Sequence, residues 1–290
     1  VKKFMWNVLK TFFFLAILSI LFIVVGNLIG GKTGATIALF MALIMNFIAY
    51  FFSDKIVLAT TGAVPVDRSQ APELHAIVEE VARKAGIPKP KIYIVPVETP
   101  NAFATGRNPK NGVVAVTSGL LKLLNTEELK GVIAHEIAHI KNRDILISTI
   151  AAVLVGAITY LAHMAQWALM FGGIHRDDDD RRNPIGLIAT LVAIIIVPIA
   201  ATLIQLAISR SREFLADETG AKIIKNPGAL AKALEKLENW NRAYPLDVNP
   251  AHAQMYIVNP LSSKSLFKLF STHPPIEERI ARLMKLAKEI

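Results

Sequence analysis

His135-Glu136-Ile137-Ala138-His139 decides how this chain is read. Two histidines four residues apart on a helix sit a little over one turn from each other. Both imidazoles then project from one face, roughly 6 Å apart, and can share a single zinc ion. Glu136 lies beside them, off the ligand axis, where its carboxylate reaches a water held at the metal. Zinc brings the pKa of such a water from about 15.7 toward about 7, so base and metal act as one unit against a peptide carbonyl. The flanking residues supply the helix: Asn125 offers an N-cap with Glu128 three positions on, and Leu129, Val132, Ile133, Ile137 and Ile140 recur at helical spacing.

A catalytic zinc takes three protein ligands and keeps one position open. A third histidine close by would need Gly and His where this chain has Asn142 and Ile145, which leaves a carboxylate from a later helix. Four apolar runs point to it: about Val8 to Ile29, Thr33 to Phe52, Ile145 to Gly173 and Ile185 to Ile208, each near or above the roughly 20 residues that cross a bilayer as helix. His139 lies six residues before the third run and Glu213 five after the fourth. If those runs form an antiparallel hairpin, both residues emerge on one side, roughly 8 to 9 Å beyond the apolar boundary. Glu213 is therefore the expected third ligand. Asp217, one turn further on, is placed to accept the free N–H of a ligating histidine, His135 first, and fix its tautomer.

Composition fits a chain that needs lipid. Hydrophobic residues make up 53% and charged residues only 19%, against roughly half and a quarter in soluble domains. There is no cysteine, so disulfides, thiolate metal sites and cysteine nucleophiles are excluded. The net charge of +9 comes without a nucleic-acid motif, and its basic residues gather beside the apolar runs, so nucleic acid is not an expected partner. Lys2, Lys3, Lys10, Lys55, Lys141, Arg143, Arg210 and Arg212 fall on one side, against Lys32, Arg176, Arg181 and Arg182 on the other; the larger set belongs in the cytoplasm. No cleavage site follows the first run, which reads as a retained anchor turning at Gly30-Gly31-Lys32. Asp177 to Asp180 read as a solvated loop tip, and His75, His163, His175 and His252 as structural.

The expected fold is α+β and mainly helical. Residues 1–52 form a transmembrane hairpin, 53–144 the first part of a zincin-type peptidase domain, 145–208 a second transmembrane hairpin, and 209–290 the second part with the third ligand. Pro72 and Gly86 bracket an amphipathic helix. Short β-rich runs at Lys91 to Val97, Ala102 to Gly106 and Val113 to Thr117 make a small sheet, with Asn111-Gly112 as a turn. Further helices pass through Glu213, open at Asn226-Pro227 and close the sequence after Pro274-Pro275.

H-E-I-A-H, S-R-E-F-L-A-D around Glu213 and Asp217, N-A-F-A-T-G at Asn101 to Gly106 and T-H-P-P at Thr272 to Pro275 together resemble the HtpX family of membrane metallopeptidases, relatives of the CAAX-prenyl endopeptidases. The resemblance runs over essentially the whole chain. It implies one zinc per chain, a multi-pass plasma-membrane enzyme with its active site in the cytoplasm, and misfolded or damaged membrane proteins as substrates. It also implies that Asn101, Ala102 and Phe103 belong to an edge strand that pairs with the substrate backbone, a mode that asks little of side chains. By the same resemblance His273 lies near the metal, where it steadies the transition state or occupies the open zinc position, and Arg279 orients it on the substrate side. Two other readings compete. A membrane scaffold would keep the zinc fold without cleavage, although the catalytic set is intact. A transporter would need paired ionisable residues inside the runs, and those are missing.

Overall fold

The computed structural model describes residues 2–146, 148–150, 210–244, 256–258 and 274–290. Most of the expected second hairpin within 145–208, the acidic loop at 177–180 and His273 lie outside them.

Helix α1 (Lys2–Thr60) reverses direction at Gly31, whose φ of 55° is left-handed and costs a glycine nothing. Asn46 Nδ2 donates to Ser19 Oγ at 2.8 Å across 27 residues, which a straight helix forbids. The arms touch closely: a Cβ placed on Gly26 would lie 2.5 Å from the Gly34 carbonyl. The expected tight hairpin is thus present. Gly31–Thr60 is the one stretch among the described residues long and apolar enough to cross a membrane. Its large side chains are uncovered, Phe40 at 62% and Ile44 at 60%, whereas a soluble core helix would bury them.

After the hairpin come β1 (Val64–Pro65), α2 (Pro72–Ala85), β2 (Lys91–Val95), β3 (Ala102–Thr105), β4 (Val113–Thr117), α3 (Ser118–Leu123), α4 (Thr126–Asn142), α5 (Arg210–Ile224), α6 (Pro227–Ala243) and α7 (Ile276–Leu286). Strand β1 and helix α3, two and six residues long, carry too little periodicity to be read from sequence. Gly86 ends α2 with φ 71°, as expected. The sheet order is β1-β2-β4-β3, with β2 parallel to β4 and β3 antiparallel to it, so β3 is an edge. A 3-10 turn at Pro109–Asn111, capped by the Asn108 side chain, joins β3 to β4 where a simple Asn-Gly turn was expected.

Helix α4 is the centre of the fold, packed by α2, α5, α6 and β3. Its first turn is a capping box: Asn125 Oδ1 accepts the Glu128 N–H at 2.9 Å, and Glu128 accepts the Asn125 N–H at 3.0 Å. Val132, Ile133, Ile137 and Ile140 are fully buried along it. Glycines let its neighbours approach. A Cβ at Gly220 of α5 would sit 2.8 to 2.9 Å from backbone atoms of Ala134 and His135. Gly220→Ala is therefore expected to pry α5 from α4 and to cost about 1–3 kcal/mol in thermal unfolding; an unchanged melting temperature would contradict this packing.

Candidate metal centre

Helix α4 presents His135 and His139 on the face turned to α5, and α5 returns Glu213 to them. The two Nε2 atoms are 3.2 Å apart. His135 Nε2 lies 3.7 Å from one Glu213 oxygen and His139 Nε2 3.5 Å from the other. One ligand atom from each of the three falls within 4.8 Å of the others. Behind them, Asp217 Oδ1 is 2.9 Å from His135 Nδ1, and Asp144 Oδ2 is 3.6 Å from His139 Nδ1.

This donor set suits a cation. The Asp217 carboxylate, 2.9 Å away, favours a proton kept on His135 Nδ1, which leaves the Nε2 lone pair directed into the space shared with His139 and Glu213. Burial lowers the His135 pKa despite the help Asp217 gives its charged form, so this ring stays neutral, as a metal ligand must. At His139 burial again opposes charge, but Glu213, Asp144 and Glu136 overcome it and push the pKa up to about 9. The cluster draws one positive charge inward, and a divalent ion with nitrogen and oxygen ligands answers the same demand.

Glu136 is 5% exposed beside this group. Burial lifts its pKa to about 7; Glu213 adds to the rise, while His139, Arg279 and an N–H from Ala104 pull against it. Asp217 goes the other way. Burial would raise it, yet Arg279 and His135 hold it down to about 2.

The cleft over the metal site is walled by β3 at Phe103, Ala104 and Thr105, and on the side of the apolar runs by Val57, Ile145 and Thr149. Thr117 N–H donates to the Asn101 carbonyl, so in antiparallel alternation Ala102 and Ala104 turn their main-chain groups to the unpaired edge of the sheet, where Ala102 is buried and the Ala104 N–H meets Glu136. Asn101 itself does not face the cleft as expected. Its Oδ1 accepts the Ile257 N–H at 3.2 Å and it is buried, so it ties β3 to the segment 256–258. Arg279 also departs from its expected place. It is completely buried and does not line the cleft; Nε and Nη2 grip both Asp217 oxygens at 2.8 and 2.7 Å, and Nη1 donates to the Ile257 carbonyl at 2.8 Å. His75 is structural, its Nε2 2.9 Å from the Val66 carbonyl.

Three neighbours escaped the sequence reading. Tyr256 lines the cleft, while Asp144 and Arg212 are buried charges beside the ligands. The last two carried a signal, since each adjoins a ligand motif at the edge of an apolar run.

Residues 68–287 match the family described as Peptidase family M48. The chain is 60% identical to a "Protease HtpX homolog" of Thermodesulfovibrio yellowstonii over 97% of this chain and 99% of that one. It is 57% identical to one of Pyrococcus furiosus over 97% and 96%, and 55% identical to one of Aquifex aeolicus over 93% and 90%. Among solved structures, S. mikatae Ste24p shares the fold with a TM-score of 0.53 at 19% identity, over 98% of this chain and 67% of that one. Agreement over nearly the full length of several relatives and the donor geometry of α4 and α5 lead to one conclusion: the chain belongs to peptidase family M48 and is a metallopeptidase.

Proposed function

We propose that this is a multi-pass membrane zinc endopeptidase that cleaves misfolded or damaged membrane proteins at a cytoplasmic site. The observation that carries the reading is the meeting of His135, His139 and Glu213 at the foot of a helical hairpin with an uncovered apolar surface. Those three residues would hold the metal. Zinc, when bound, supplies a Lewis acid that polarises the scissile carbonyl and acidifies water. The chain does the rest. An extended substrate adds to the edge of β3 where it lines the cleft, through main-chain hydrogen bonds such as one to the Ala104 carbonyl, which demands little of its sequence and suits unfolded segments. Glu136 accepts a proton from the attacking water at its carboxylate and returns it to the leaving amine. His273 belongs to the same site by family resemblance, as a group that steadies the developing charge.

The purified protein is expected to carry one zinc and to cleave an unfolded casein-like substrate until a chelator is added. Glu213→Ala is expected to lose the metal, read by elemental analysis. Cleavage that survives both metal removal and this substitution would overturn the proposal and favour a scaffold that copurifies with another protease.

The elevated pKa of Glu136 sets a pH dependence. A general base works deprotonated, so activity is lost as pH falls, and burial moves that loss upward from 4.5. A cation nearby favours the carboxylate and lowers it again from about 7. The acid limb of kcat/KM is therefore expected at or below about 7; a limb well above 7 would remove Glu136 as the base.

A further inference from the structure

His135 is backed by Asp217, and Asp217 by Arg279. We infer that His139 has an equivalent support in Asp144, a positioning residue at the end of α4 that holds this ligand's ring and so governs how long the metal stays. The inference rests on reading His135, His139 and Glu213 as ligands.

The backbone places Asp144 with little freedom. Arg143 ends α4 in the left-handed conformation, φ 60°, and turns the chain so that the Asp144 N–H donates back to the His139 carbonyl at 3.0 Å. The Asp144 carbonyl in turn accepts the Ser148 N–H at 3.3 Å and the Ser148 hydroxyl at 3.2 Å. One residue thus closes α4 and opens the next helical stretch, pinned from both sides. Its carboxylate, 1% exposed, reaches 3.6 Å from His139 Nδ1, an ion-pair separation rather than a hydrogen-bond length.

Arg212 arrives from the far side of the apolar stretch, next to Glu213, and is 7% exposed. Burial works against its charge, and Asp144 first, then Glu213, support it. A carboxylate buried this close to a ligand is placed to orient its imidazole. The support matters more at His139 than at His135, because the His139 side chain is 16% exposed against 2%. It is the ligand that water reaches first.

Zinc affinity by chelator competition, and the rate of chelator-driven release, test this on the full chain in detergent. Asp144→Asn is expected to weaken binding about 10–100-fold, with faster release and unchanged helical content of the zinc-free protein. Asp144→Glu, which keeps the charge, should bind more tightly than Asp144→Asn. If Asp144→Asn fails to fold, Asp144→Ser, which keeps a small polar group at the turn, decides. Wild-type affinity in the variant that folds, while Glu213→Ala loses zinc, would overturn this inference and leave the metal centre standing. Wild-type protein that binds no zinc would end both.

Discussion

Glu136→Gln should reduce peptide-bond cleavage about 10²–10⁴-fold while zinc stays bound with wild-type affinity. The substitution keeps the shape of the side chain and its acceptor for the Ala104 N–H, and removes only the capacity to take a proton. Because Glu136 stands beside the ligand group rather than in it, the metal content should not follow activity. This separation distinguishes Glu136 from Glu213, whose loss should remove both together. Retention of full cleavage by Glu136→Gln would mean that another group moves the proton. Loss of zinc in the same variant would mean that Glu136 is a ligand.

The second large effect concerns stability. Asp217→Ala leaves the Arg279 guanidinium fully buried with neither of its two carboxylate bonds, and removing one partner of such a pair costs about 3–5 kcal/mol. Heat or denaturant unfolding in detergent should show it, and a cost below about 1 kcal/mol would mean that water reaches the arginine. Replacing both, as Asp217→Leu with Arg279→Met, should recover most of the stability, because well-packed apolar groups substitute for a buried pair. Zinc affinity should not recover, since His135 still lacks its Nδ1 acceptor. The pair also has a pH signature. The folded pKa of Asp217 is about 2, below its ordinary 3.8, so its contribution is complete above 3.8 and disappears as pH falls toward 2.

What could be read in advance was whatever depends on local pattern. The capping box at Asn125 and Glu128, the α4 periodicity and the helix starts at Pro72 and Pro227 are properties of a few consecutive residues, and all appear as expected. Glu213 was reachable for another reason: a membrane converts sequence distance from an apolar boundary into height, so residues far apart can be matched. Asp217 followed because helical spacing from Glu213 is rigid. Arg279 was misplaced, since its burial depends on α7 packing against α5 and α6, a tertiary fact with no local trace. The same holds for Asn101, whose side chain serves segment 256–258 and not the cleft. Asp144 adjoins the motif, but its place beside His139 follows from the left-handed Arg143, a conformation no propensity scale predicts.

The divided origin of the proposed ligands also bears on when the enzyme can come alive. Glu213 is translated 74 residues after His139. At roughly 5–20 residues per second, a nascent chain carries the paired histidines for several seconds or longer without the carboxylate that completes their set. Arg279, which locks the support of His135, is made later still. On the proposed ligand set, proteolytic competence begins only when the later helices dock.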